Sequence, residues 1–252
     1  QKYYKLDRVT FHQKDIRDLN FMKNILQSDD YVVNLAALVG EPLCKIKPEE
    51  AVAVNFEAAK NLADLCKDKN IKKFIQLSTC SNYGQAKEMV DEDGELFPTS
   101  LYAETKVNLE KYLIKNIPNA TILRCATAYG LSVGRMRFDL LVSDFIKEAW
   151  LEKQINVFMP EVHRPIVHVS DISDAILLCI DHKETLSRVY NVGSSIQNYT
   201  KRQIAEKVAS RLNVSLNIVE KVDKRDYIVN FDRIKNELNF STKFLADDGI
   251  EE

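Results

Sequence analysis

Short apolar runs that end in small or polar residues alternate in this chain with longer stretches of helical spacing, and that alternation admits few folds. YVVNLAAL (Tyr31 to Leu38), KKFIQLS (Lys72 to Ser78) and ATILRCA (Ala120 to Ala126) are the runs. Near-continuous apolar character is what strands buried on both faces require, as when helices cross between parallel strands. Between the first two, PEEAVAVNFEAAKNLADLCKDKN repeats apolar residues at helical spacing, opens on Pro48 with Glu49 and Glu50, and ends in lysines. Proline at a helix start and the helix dipole both favour that polarity. Between the second and third runs, PTSLYAETKVNLEKYL offers Thr99 or Ser100 as an N-terminal cap. Strand, helix, strand, helix, strand predicts an α/β fold with a doubly wound parallel sheet.

Past Gly130 the rhythm changes. A helix in FDLLVSDFIKEAW and a strand in QINVFM precede RPIVHVSDISDAILLCI and VYNVG, and two further helices follow in TKRQIAEKVASRL and NFDRIKNELNF. The expected division is 1–160 for the dinucleotide-binding part and 161–252 for a mixed region that completes the sheet and forms a small C-terminal substrate lobe.

The 252 residues carry a formal charge of -2, which gives no electrostatic case for nucleic acid or an anionic membrane surface. No apolar run of about 18 residues occurs and the start is too polar for a signal peptide, so a cytoplasmic protein is expected. Five cysteines without a Cys-x-x-Cys or a paired histidine predict free thiols and no metal site.

In an open parallel sheet the ligand lies beyond the carboxyl ends of the strands. KKFIQLS is followed there by Thr79, Cys80, Ser81, Asn82, Tyr83 and Gly84, which puts a hydroxyl at the active edge. Two Tyr-x-x-x-Lys pairs occur, Tyr83 with Lys87 and Tyr102 with Lys106. The first runs into Gly84 and a polar segment without a helical stripe, and is read as an accident. The second sits on an amphipathic helix, where residues four apart lie side by side. A lysine cation beside a phenol stabilises the phenolate, and is expected to draw the tyrosine down from about 10 towards neutrality.

Ser78-Thr79-Cys80-Ser81-Asn82-Tyr83-Gly84 followed by Tyr102-x-x-x-Lys106 resembles the extended short-chain dehydrogenases that act on nucleotide sugars. Asp15 and Ile16 look like that family's segment beside the adenine, and Leu35, Ala36 and Ala37 like its cofactor-lining strand. Asn55, Leu123 with Arg124, Arg164 to Val169, Tyr190 to Gly193 and Asp223 to Tyr227 follow in family order. The resemblance implies Thr79, Tyr102 and Lys106 as the catalytic set. It implies Asp15, Ile16, Leu35, Ala36, Ala37, Asn55, Ser78, Tyr102 and Lys106 as the contacts of NAD or NADP. It further implies that Thr79, Cys80 and Ser81 face the sugar, that Arg164 and Arg225 grip the diphosphate, and that a homodimer forms through a four-helix bundle. The mechanism it implies is proton removal from a sugar hydroxyl, at C4, with hydride passing to the nicotinamide.

Departures from the family pattern narrow the reaction. Cys80 and Ser81 stand where 4,6-dehydratases carry an acid pair, and Ser81 stands where the 3,5-epimerases carry a reactive cysteine. What remains is a 4-epimerase or a 4-dehydrogenase/reductase, with a 4,6-dehydratase or a non-catalytic dinucleotide-binding protein as rival readings. The runs Ala36 to Lys45 and Arg135 to Leu140 look most like family members that make surface-polysaccharide sugars. No Gly-x-x-Gly-x-x-Gly turn is present. The resemblance therefore implies that this chain lacks the first strand, helix and strand of the fold.

Overall fold

The computed structural model describes residues 9–86, 88–132, 136–182, 185–219 and 225–252. In chain order these form α1 (Leu19–Ile25), β1 (Tyr31–Asn34), α2 (Glu41–Ile46), α3 (Pro48–Val52), a π-helical turn (Ala53–Ala58) and α4 (Ala59–Asp68). Then come β2 (Lys73–Thr79), a 3-10 turn (Cys80–Tyr83), α5 (Leu101–Asn116), β3 (Ala120–Cys125), β4 (Thr127–Tyr129), α6 (Leu141–Glu152) and β5 (Gln154–Phe158). The rest comprises β6 (His163–His168), α7 (Val169–Asp181), β7 (Arg188–Val192), β8 (Asn198–Thr200), α8 (Lys201–Leu212), β9 (Ser215–Val219), α9 (Asp232–Leu238) and α10 (Ala246–Glu251).

The main sheet runs β1-β2-β3-β7, every neighbour parallel, as the alternation of strands and helices requires. Period-two alternation sends Phe74 and Ile122 to one face, where α4 and α5 bury Leu62, Cys66, Leu109 and Leu113 against them. It sends Ile75, Leu123 and Tyr190 to the other face, against Ala175 and Cys179 of α7 and Ile234 and Leu238 of α9. Both faces are thus covered, and β3 is buried along its whole length. Carboxyl ends of the parallel strands all point to one edge of the sheet.

A third core joins α6 and β5 to α8, through Val142, Phe145, Ile155, Val157, Ile204 and Val208. β5 pairs with β9 in parallel, and β6 pairs with β4 and β8 in a separate small sheet. Elements from the two sides of residue 160 therefore interleave. The third core takes α6 and β5 from the earlier half, and the main sheet takes β7 from the later one.

The first strand is shorter than its apolar run. Extended pairing stops at Asn34, whose Oδ1 accepts from the Ala36 amide at 3.1 Å while its Nδ2 donates to Gln76 Oε1 at 2.8 Å. Side-chain bonds of this kind offer the backbone an alternative to the ladder and end the strand early. The long helix expected from Pro48 is present, with Pro48 in the first turn and Lys67 in the last, but its middle widens into the π turn. No helix among the described residues is long and apolar enough to cross a membrane.

Candidate active site

β2 delivers Thr79 to the carboxyl edge of the sheet. Its hydroxyl oxygen accepts from the Ser81 amide at 3.1 Å and so caps the 3-10 turn that follows. That turn closes on Gly84 at φ +60, where a Cβ would lie 1.8 Å from the Phe97 carbonyl oxygen. Only glycine tolerates both the left-handed backbone and that approach. Ser81 Oγ lies 3.3 Å from the hydroxyl of buried Tyr227, and the Arg164 guanidinium sits 5.5 Å from the Tyr227 ring. Arg164 also donates to the Arg225 carbonyl at 2.8 Å. Ser81, Arg164 and Arg225 are thus joined around one tyrosine, and Arg164, at 4% exposure, donates to the backbone carbonyls of His163 and Arg225.

Cys80 does not face the same way. Its side chain is 1% exposed and donates to the Arg124 carbonyl at 3.2 Å, and burial raises its thiol well above the ordinary range. A thiol in that setting packs and does not react.

Ser100 is the N-cap of α5, its hydroxyl accepting from the Ala103 amide at 3.3 Å. Helix geometry then aligns Tyr102 and Lys106 one turn apart. The Lys106 ammonium lies 5.9 Å from the Tyr102 ring centroid and donates to the Leu77 carbonyl at 3.0 Å. Lys106 is 4% exposed, and burial lowers it to about 8, opposed by Glu110. At neutral pH the ammonium form therefore predominates.

The expected downward pull on the phenol does not appear. Burial pushes Tyr102 above its ordinary value, Cys125 and Cys44 add to the rise, and the opposing cation is Arg137. The reason is geometric: Lys106 aims at a backbone carbonyl, so the cost of desolvating a phenolate outweighs its attraction. The rival pair is settled differently. Tyr83 is fully buried, donates to Asn191 Oδ1 at 2.7 Å and accepts from Arg124 at 3.0 Å, so its hydroxyl belongs to the core. Lys87 lies outside the described residues, as do Arg135, Asp223 and Lys224.

Of the residues expected to meet the cofactor, Leu35, Ala36 and Ala37 directly follow the neighbouring strand β1. Leu35 is 60% exposed just past β1, with Ala36 exposed and Ala37 half-buried beside it. An apolar side chain held bare at this edge suits a flat heterocycle. Asn55, on the π turn, clamps the loop by accepting from the Leu38 amide at 2.7 Å and donating to the Leu38 carbonyl at 3.0 Å. π turns recur at functional sites. Ser78 is buried, and Ile16 packs at the edge of the core beneath α1. Asp15 is exposed and bound by Arg17, whose side chain and backbone hold its carboxyl down to about 2. It is ionised throughout the neutral range.

Comparison with known proteins adds what geometry alone does not. An uncharacterized UDP-glucose epimerase of Bacillus subtilis is 27% identical over 195 residues, which cover 75% of this chain and 60% of that protein. The chain thus spans less than two thirds of that relative's length. A UDP-glucuronate 4-epimerase of Thermodesulfobacterium geofontis is 26% identical across 99% of this chain and 81% of its own. Among solved structures, the UDP-glucuronic acid 4-epimerase of Bacillus cereus, in complex with UDP-glucuronic acid and NAD, superposes with a TM-score of 0.87. It is 25% identical and covers 99% of this chain and 82% of that one. The model of the NAD dependent epimerase/dehydratase family matches residues 1–193, and with the sheet edge, the Tyr102-x-x-x-Lys106 helix and the Thr79 strand end in place the chain belongs to that family.

Proposed function

We propose that the protein of which this chain is part is an NAD-dependent nucleotide-sugar 4-epimerase or 4-dehydrogenase/reductase that serves surface-polysaccharide synthesis. The observation that carries this reading is the Tyr102 and Lys106 pair, one turn apart, beside the strand that ends in the Thr79 hydroxyl. NAD, when bound, takes up or returns the hydride at the sugar carbon. Asp15, Ile16, Leu35, Ala36, Ala37, Asn55 and Ser78 form the edge that holds it, and the bare Leu35 and the clamped Leu38 loop fit that role.

Tyr102 moves the proton at the C4 oxygen. It starts as a neutral phenol, gives its hydrogen to the oxygen of a C4 ketone and takes it back when the alcohol is oxidised. The Lys106 ammonium is the cation one turn away that steadies the phenolate, and the Thr79 hydroxyl faces the same oxygen. Arg164 and Arg225 serve the diphosphate, for which a guanidinium's fixed donors are suited. Elimination of water from the sugar is disfavoured, since Cys80 is buried and Ser81 offers a hydroxyl in place of an acid.

The test is to incubate the full-length protein with NAD and a panel of UDP-, GDP- and dTDP-hexoses and hexuronic acids, and to follow C4 configuration by NMR. Interconversion at C4, or a stable 4-keto product with NADH, is expected. Products lacking the C6 oxygen would establish a dehydratase instead, and no conversion of any sugar would leave only a binding role.

We also propose a homodimer. The face formed by Pro48, Val52, Ala53 and Leu101, with Glu49 and Glu57 beside it, is shallow and mainly apolar, with Val52 37% exposed. Apolar helix faces left open in this way are covered in an assembly. Light scattering on the full-length protein should give twice the chain mass, and Val52→Glu should halve it; a wild-type monomer would remove the proposal.

A further inference from the structure

The helix face that carries Tyr102 and Lys106 continues by the same step of four to Glu110, which is 1% exposed. Buried carboxylates are costly unless paired and fully hydrogen-bonded. This one is saturated. Its Oε1 accepts from the Ser78 hydroxyl and from Asn82 Nδ2 at 2.8 Å, and its Oε2 accepts from Arg124 Nε at 3.0 Å and from a second guanidinium nitrogen at 2.7 Å. The Arg124 fork reaches on to the Tyr83 hydroxyl at 3.0 Å and the Glu92 carbonyl at 3.1 Å.

Placement gives these bonds a bearing on the chemistry. Successive turns of α5 grip successive residues of β2: Lys106 takes the Leu77 carbonyl, and Glu110 takes the Ser78 hydroxyl. The next residue is Thr79. Glu110 also holds Asn82, inside the 3-10 turn that Thr79 caps. One carboxylate therefore fixes the helix bearing the phenol against the strand end bearing the hydroxyl.

Resting on the functional reading above, we propose that Glu110 is a positioning residue of this site, setting the gap between Thr79 and the Tyr102 helix and supplying the counter-charge to the Lys106 ammonium. A catalytic cation placed in a dry core would otherwise release its proton to avoid desolvation. Groups facing Lys106 from the packed elements are Glu110 on its own helix, Cys125 on β3 and Cys44 on α2. Of these only Glu110 is a carboxyl group, and it is the one paired with a guanidinium. The side chains bonded to Glu110 are Ser78 and Asn82, which are neutral, and Arg124.

The test separates charge from shape. Glu110→Gln keeps the length and loses the charge, and Glu110→Asp keeps the charge and shortens the reach. In this chain without added cofactor, the 13Cε resonance of Lys106, assigned by its loss in Lys106→Arg, is titrated by NMR. Removing a nearby opposite charge should move the Lys106 midpoint down by about one unit in Glu110→Gln, and Glu110→Asp should leave it close to wild type. In the full-length enzyme the alkaline limb of kcat, where Lys106 loses its proton, should move to lower pH by the same amount in Glu110→Gln. Glu110→Asp should lower kcat evenly at all pH values.

An unchanged Lys106 midpoint in folded Glu110→Gln overturns the proposal. Should that variant fail to fold because Arg124 is left alone, Glu110→Gln with Arg124→Leu is compared with Arg124→Leu alone, so that the two differ only in the Glu110 charge, and an unchanged midpoint between them overturns it equally. Failure of the functional reading looks different, since the wild-type protein would then convert no nucleotide sugar while the NMR shift would still be seen.

Discussion

Tyr102→Phe should reduce turnover of the full-length protein by roughly 10² to 10⁴-fold, with nucleotide-sugar and NAD affinity within a few-fold of wild type. The substitution removes one oxygen. No hydrogen bond ties that hydroxyl to another described residue, so its loss leaves the fold untouched and any effect on rate reports chemistry. Two other buried tyrosines among the described residues are engaged elsewhere: Tyr83 spends its hydroxyl on Asn191 and Arg124, and Tyr227 shares its own with Ser81. Stopped assays of C4 exchange, with calorimetric binding of substrate in parallel, make the measurement. Activity preserved within tenfold would end the assignment of Tyr102 as the proton carrier.

Arg124→Leu should cost the chain about 3 to 5 kcal/mol of stability, because it leaves the Glu110 carboxylate buried without its cation. The pair is 4% and 1% exposed, its closest contact is 2.7 Å, and the fork serves two further acceptors. For a domain of this size that loss corresponds to a fall of roughly 6 to 20 °C in Tm. The exposed pair of Arg211 and Glu251 supplies the contrast, since water screens it and Arg211→Ala should hardly move the melt. Guanidinium titration followed by circular dichroism checks both. A loss below about 1 kcal/mol for Arg124→Leu would mean that the buried network contributes little to the fold.

Much of this architecture is legible in the sequence because burial on two faces writes a strong signal. β2 and β3 lie within a residue of their apolar runs, and α5 starts at the Ser100 cap. The shortened β1 is not legible, because the cause is the side chain of Asn34 reaching Gln76 across 42 positions. α2 is also missed, since Gly40 and Pro42 at its start read as a turn. At the site, the alignment of Tyr102 with Lys106 follows from spacing, whereas the aim of the Lys106 ammonium does not. Which carbonyl or phenol a buried lysine chooses depends on the strand packed beneath it. Glu110 carried a signal that could have been used, the same step of four that singled out Lys106. Ser81, Arg164 and Arg225 are reached through the family resemblance, whereas their meeting at Tyr227 is not written in local spacing, because it joins segments up to 146 residues apart.

The widened turn at Ala53–Ala58 also bears on how this chain is read beside its relatives. Each residue of a regular helix advances about 100° around the axis, so a turn that holds one extra residue resets every position after it. Asn55, inside that turn, is the residue that bonds the Leu38 amide and carbonyl. Aligning this stretch against a plain helix without a one-residue gap would set a different side chain over the loop and disguise a shared contact as a difference.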